Sequence, residues 1–214
     1  MLTVVPRPAP DVAPASRRAL RFVGDERALV EGVLAGNEAA AAELYDRYVA
    51  DLRRILLRVI GPSAELGDLL QDTFVSALGS LGTLQDPAAL RGWLIRVAVF
   101  TARKHLRSRG RRRWLRLWRD EEEESGELAA VTLPSQSASL AAKEAWQILE
   151  ELGVEERMAF SLRFIEGLEL GEVAAALDCS LSTVKRRLLR AVARFQVRAQ
   201  RTSALREWLP GGAP

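Results

Sequence analysis

An all-α fold of two small helical domains joined by a flexible acidic linker is what this sequence predicts. Three observations carry it. No β-alternating run of useful length occurs anywhere in the 214 residues. Helical periodicity with capping residues fills two long stretches. Between them, residues 110–138 shift from a basic-aromatic run to a tetra-glutamate run to a Pro/Ser-rich segment, the pattern of a tether and not of a packed element. The expected divisions are a Pro/Ala-rich mobile tail over 1–24, a first domain over 25–110, a linker over 111–138, a second domain over 139–200 and a tail over 201–214.

Taken in order, Leu29, Val30, Val33 and Leu34 predict a short amphipathic helix ending near Gly36-Asn37. A longer helix over about 38–60 places Leu44, Tyr48, Leu52, Ile55, Leu56 and Val59 inward, and Gly61-Pro62 stops it. Ser63 is positioned to cap a third helix over about 64–80, with an i, i+4 stripe at Leu66, Leu70, Phe74 and Leu78. Residues 79–87 read as a loop, and a fourth helix is expected over about 88–108.

Composition narrows the function before any motif is read. One cysteine, Cys179, excludes an internal disulfide and a cysteine-cluster metal site. One histidine, His105, argues against a histidine metal site or catalytic triad, so no cofactor, no metal and no catalytic residue are expected. No apolar run reaches the length of a membrane span, so membrane insertion is not expected. The N-terminus lacks signal-peptide character, and the expected compartment is the cytoplasm.

The formal charge of +3 conceals a strong segregation. Residues 91–119 hold eleven Lys+Arg and no acid, and residues 181–201 hold seven and no acid. These blocks carry 18 of the 31 basic residues, so the other 164 positions hold 13 bases against 28 acids, a net of −15. Two basic blocks on an otherwise acidic chain are the footprint of two separate phosphate-backbone contacts.

The most specific local signal is LELGEVAAALDCSLSTVKRRLLRAVARF, residues 168–195. Val173, Ala174 and Leu177 suit the first helix of a helix-turn-helix, and Asp178 takes the turn position where a left-handed conformation is needed. Ser180 or Ser182 can cap the second helix. On a helical wheel Val184, Leu188, Val192 and Phe195 face inward, while Ser182, Lys185, Arg186, Leu189 and Arg190 face out, as a major-groove recognition helix requires. Cys179 reads as a structural thiol at the turn.

Two further clusters lie in the first domain. Asp68, Gln71 and Asp72 stand at i, i+3 and i+4 on one exposed face, a better protein-docking surface than a catalytic pair. Arg96, Arg103 and Arg107 fall within roughly 20° of one line on the fourth helix, with Phe100 about 40° to the side. Such a basic stripe with aromatics beside it suits single-stranded nucleic acid. Trp93, which opens that helix, is compatible with either a binding role or simple core.

These motifs, in this order, resemble the bacterial RNA polymerase sigma factors of the extracytoplasmic-function (ECF) group over about residues 25–200. DLLQDTF (68–74) resembles the segment that binds the polymerase clamp helices. LRGWLIRVAVFTARKHLRSRGRR (90–112) resembles the promoter-melting, −10-reading helix, and residues 148–195 resemble the −35-reading domain.

The resemblance implies roles residue by residue. Asp68, Leu69, Gln71 and Asp72 would bind core polymerase, with Phe74 as internal packing. Arg91, Trp93, Arg96, Phe100, Arg103, Lys104 and Arg107 would serve the −10 element, and the loop over about 80–91 would capture a flipped base. Phe100 stands where many members carry Asn, which bears on the −10 base that is held. Ser182, Thr183, Lys185, Arg186, Leu189 and Arg190 would serve the −35 element, with Arg186 in place of a common Ser. The implied partners are core RNA polymerase through its β′ clamp and β flap, promoter DNA, and an anti-sigma factor. The acidic linker would thread the polymerase cleft and RNA exit channel. The Trp114/Trp118 segment and the tail with Trp208 would either touch an anti-sigma partner or form weakly ordered extensions. The expected function is a non-enzymatic promoter-specificity subunit. The principal alternative is a free-standing helix-turn-helix regulator acting at operators, and a metal-dependent nuclease using Asp68 and Asp72 lacks enough convergent carboxylates.

Overall fold

The computed structural model describes residues 22, 24–117, 136–202 and 205 of the chain. Nearly all of the expected N-terminal tail, the tetra-glutamate run, Trp118 and Trp208 lie outside those residues, as does the side chain of Trp114. Eight α-helices build the described residues, with no strand among them.

Capping chemistry sets the first elements. Helix α1 (Glu26–Leu34) starts at Asp25, whose side chain accepts the Ala28 amide. Asn37 starts α2 (Glu38–Ile60) by accepting from the Ala39 and Ala40 amides. Each cap satisfies donors that a first helical turn leaves without partners. Helix α2 buries all six residues that its periodicity assigns inward, from Leu44 to Val59. It ends at Gly61, where φ is 87°, a left-handed value that a side chain would strain.

Helix α3 (Leu66–Ser80) begins later than Ser63 would have it. Ser63 Oγ instead accepts the Glu65 amide at 3.2 Å and shapes the turn ahead of the helix. Leu66, Leu70 and Phe74 are buried, but Leu78 is exposed. A strict four-residue repeat drifts by 40° per step, so by Leu78 it has rotated roughly 120° away from Leu66. Leu69, Thr73 and Ala77 complete the inner face instead. The expected loop over 79–87 is partly helical: α3 runs through Ser80, and two 3₁₀ turns follow at Leu81–Thr83 and Pro87–Ala89. Leu81 is buried there, and Asp86 accepts the Ala88 amide at 3.0 Å.

Helix α4 (Leu90–Leu117) continues nine residues beyond the expected end at Ser108. Arg and Leu are good helix formers, a single Gly110 costs only about 1 kcal/mol, and no proline follows to stop it. In the second half, α5 spans Gln136–Glu151 and α6 spans Val154–Phe160, running into a π-helical turn at Ser161–Ile165. Helices α7 (Leu170–Leu177) and α8 (Leu181–Ala199) form the helix-turn-helix. Asp178 adopts the expected left-handed conformation, φ 51° and ψ 54°. Ser180 caps α8 by accepting the Thr183 amide.

The two halves pack as one body. Helix α4 lies against α2 and α3 on one side and against α6 and α7 on the other. A single apolar cluster runs from Leu29 through Leu94 and Ala98 to Met158, Leu177 and Leu188. Smaller clusters beneath α5 and α8 include a stacked Phe160–Phe195 pair at 5.1 Å.

Polar contacts fix the register of this docking. Arg157 on α6 is only 6% exposed. It donates through Nε to the Val59 carbonyl at 3.1 Å and through a terminal nitrogen to that of Ile60. Its guanidinium lies 4.6 Å from the Trp146 ring centroid. Trp146 sits so close to Gly61 that a Cβ there would overlap the indole. The Glu166 carboxylate, 4% exposed, pairs with Arg54 and Arg58 of α2. Burial lowers the Arg157 pKa to about 10, with Glu150 opposing the shift, so the side chain stays protonated at neutral pH.

The turn supports a direct test. Asp178→Val places a β-branched residue at φ 51° and is expected to lower stability by about 1–2 kcal/mol in urea unfolding, whereas Asp178→Gly is expected to spare the backbone that strain.

Candidate nucleic-acid interfaces

Helix α8 presents the outer face expected of it. Ser182, Lys185, Arg186, Leu189 and Arg190 are exposed, with Leu189 at 74%, while Val184 and Leu188 are buried. Val192 and Phe195 are half-buried, and Ala191 and Ala199 complete the inner side. Thr183 is also half-buried, its hydroxyl 2.9 Å from that of Ser180, so it serves the cap as much as the surface. Cys179 is half-buried against the core and accepts from Arg187 at 3.4 Å. The outer face therefore combines three cations with an apolar side chain. That combination can hold phosphate, hydrogen-bond guanine edges and contact a thymine methyl.

The α4 stripe is brought together as its spacing requires, but its members are engaged. Arg96 pairs with Asp178 at 2.9 Å. Arg103 donates to the Leu177 carbonyl at 2.9 Å, and its Nε lies 3.2 Å from Glu155, near enough for an ion pair but not aligned as a hydrogen bond. Arg107 reaches the same Glu155 oxygen at 2.9 Å. Arg91 turns to Asp51 at 2.9 Å. Lys104 is exposed, and Phe100 stands 62% exposed between Arg96 and Lys104 on successive turns. Trp93 is half-buried against the core, so it serves packing in this arrangement.

Helix α3 separates its candidates. Asp68, Gln71 and Asp72 share one exposed face. Leu69, expected among the docking residues, is a core side chain at 4% exposure. It lies 100° from Asp68, on the side where Leu66 and Phe74 meet α2 and α4. Sequence reasoning missed Val75, which is 64% exposed and continues the Asp68 face at i+7. Leu78 and Leu34 are also exposed, and Gly82 lies close to the Leu34 side chain. The seven-residue spacing from Asp68 was a signal available for Val75. Among the described residues, no group of three His, Cys, Asp or Glu could hold a metal ion, and no helix is long and apolar enough to cross a membrane.

Each half of the chain matches a known family model. Residues 44–112 match the Sigma-70 region 2 family model, and residues 142–195 match the model described as Sigma-70, region 4. Over 174 residues the chain is 32% identical to the ECF RNA polymerase sigma-E factor of Escherichia coli K12, covering 78% of this chain and 90% of that protein. The chain belongs to the ECF RNA polymerase sigma factors. It is a non-enzymatic initiation factor that directs RNA polymerase to promoters.

Other relatives agree with this sigma-factor assignment. The RNA polymerase sigma-H factor of Pseudomonas aeruginosa is 30% identical over 172 residues, covering 78% of this chain and 89% of that one. CnrH, solved in complex with the cytosolic domain of CnrY, superposes with a TM-score of 0.57 at 25% identity, over 83% of this chain and 99% of CnrH. The sigma factor RpoE from Bartonella quintana, solved with the anti-sigma factor NepR, shares the fold at a TM-score of 0.54 and 22% identity, over 74% and 96% of the two chains.

The two kinds of residue on α3 of this sigma factor are separable by stability. Leu69→Ala is expected to cost about 2–5 kcal/mol in denaturant unfolding. Val75→Ser is expected to stay within about 0.5 kcal/mol of the parent protein.

Proposed function

We propose that α3 docks core polymerase, that α4 melts and reads the −10 element, and that α8 reads the −35 element. The observation that carries the −35 assignment is the exposed row of Lys185, Arg186, Leu189 and Arg190 following a capped helix-turn-helix. Arg186 and Arg190 lie one turn apart, close enough to contact neighbouring bases or a base and its phosphate.

On α3, the two acids Asp68 and Asp72, with Gln71 and Val75 beside them, offer a surface that a basic helical partner fits, and the β′ clamp is the proposed occupant. The β flap is the proposed contact of the second unit. On α4, Arg96, Arg103, Lys104 and Arg107 would hold the strand backbone while Phe100 offers a ring for stacking. Extruding a base costs a few kcal/mol, so the loop over 80–91 and this helix must together supply the compensating contacts. Arg91 would add a phosphate contact once released from Asp51.

The division of the chain near residues 25–110 and 139–200 into these two working units belongs to the same proposal. So do action in the cytoplasm and control by an anti-sigma protein, the latter by analogy with RpoE and its partner NepR.

Two outcomes test the assignments. Purified chain is expected to co-elute with bacterial core RNA polymerase, and Asp68→Arg/Asp72→Arg is expected to weaken that binding at least about tenfold while retaining the parent's unfolding midpoint. Retained co-elution by the double variant would remove α3 from the interface. Arg186→Ala is expected to cost about 1–3 kcal/mol at one −35 base pair and relax selection there, read by binding to a randomised promoter library with holoenzyme.

A further inference from the structure

Helices α5 and α8 leave an open groove beside the last turns of α8. Its volume is about 470 Å³, within the range of pockets that take small ligands. Ile148 and Leu152, one turn apart on α5, form its floor, and Ala193 and Val197, one turn apart on α8, form its wall. Val197 is 52% exposed. It lies about 10 Å along the helix past Arg190, beyond the row proposed to read the −35 element. Arg194 and Arg198 border the groove. Each already has one carboxylate partner, Glu156 at 2.8 Å and Glu151 at 3.1 Å, and each remains more than half exposed.

The chain itself leads to this groove. Leu205 is buried and shares an apolar cluster with Ile148 and Ala199. Ile148 therefore belongs both to the groove floor and to the seat of Leu205. The sequence continues Arg206, Glu207, Trp208 and Leu209 before Pro210-Gly211-Gly212. Three residues of chain reach at most about 10 Å, so Trp208 stays within a helix diameter of Leu205. An indole can cover about 150–250 Å² of apolar surface. A two-residue tether holds it at an effective concentration of millimolar order, an advantage that a segment of a separate protein lacks. Glu207 adds charge complementarity, because a guanidinium with five donors can serve a second carboxylate.

We propose that the α5–α8 groove is a docking site for the chain's own residues 206–209. Trp208 and Leu209 cover Ile148, Leu152 and Val197, and Glu207 faces the Arg194 and Arg198 rim. Leu205 is the anchor that fixes where the segment enters. Trp208 thereby has an intramolecular role, and the apolar side chain of Val197 is the complement of an apolar pair a few residues beyond the helix that carries it. The proposal rests on the groove and on Leu205, and it stands apart from the promoter assignments of α4 and α8.

The test uses the full-length chain labelled with fluorotryptophan and read by fluorine NMR. Trp208→Phe identifies the Trp208 resonance among those of the five tryptophans. In the parent this resonance is expected to stand away from its position in the urea-unfolded chain. Val197→Asp, which puts a charge on the groove wall at an exposed position, is expected to return it there while the Trp93 and Trp146 resonances stay in place. Val197→Leu, which keeps the wall apolar, is expected to leave it displaced. Chymotrypsin cleavage after Trp208 is expected to be at least about tenfold faster in Val197→Asp than in the parent, because cleavage follows the population of the undocked tail. A parent resonance at the unfolded position, or one that Val197→Asp does not move, would overturn the proposal. So would a displaced resonance that reverts on dilution, since the occupant would then be the tail of a second copy.

Discussion

A protonated guanidinium buried at the end of α2 constrains how the two halves of this sigma factor meet. Helix α2 stops at Gly61, leaving the Val59 and Ile60 carbonyls to be satisfied from outside the helix, and Arg157 donates to both. The negative end of the helix dipole favours a cation there. The same glycine that ends the helix lacks the Cβ that would strike Trp146, and Trp146 in turn covers the guanidinium. Helix termination, cation placement and aromatic packing are therefore one arrangement. Sliding α6 by a single turn would leave a buried charge and two carbonyls without partners, which is far costlier than any loss of apolar contact.

With α6 fixed in that register, the charge distribution of the chain acquires a geometry. Glu155 lies two residues before Arg157, and this spacing points it to the opposite side, where Arg103, Arg107 and Arg187 converge. One carboxylate among three guanidiniums leaves a positive excess, so the site attracts further anions even while occupied. The Arg96–Asp178 pair is more exposed on both sides and contributes at most about 1 kcal/mol. Glu155 is thus the stronger of the two acidic contacts to α4. The outer faces of α8 and the exposed Lys104 keep the positive field that steers the chain toward nucleic acid.

Much of the fold was legible because it depends on local chemistry. Ser180 caps where its side chain predicts, and Asp178 takes the left-handed turn because a short polar side chain tolerates it. The outer face of α8 follows from periodicity alone. Errors arose where a local rule was extended too far. The stripe through Leu78 assumed a four-residue repeat that drifts off the core, and the early end given to α4 treated an arginine run as a loop signal. Leu69 was placed in a docking motif by its neighbours, although its own angle turns it inward. The union of the two halves was not legible at all. Arg157 sits in the charged string Val-Glu-Glu-Arg, which reads as a solvated helix start, and only the distant Gly61 and Trp146 make it a buried residue.

That choice of residue also limits how tightly the two halves hold together. An apolar side chain of similar size at position 157 would avoid desolvating a charge, and such replacements often stabilise a buried site. Here the lowered pKa of Arg157 shows that folding works against its protonated form, so the staple gives register while limiting the net strength of docking. Glu166, likewise buried with Arg54 and Arg58, follows the same logic. Ionic groups regain favourable hydration when the units part, which lowers the free energy of opening relative to an all-apolar seam. An interface specified by buried charges is selective in register at some expense in strength.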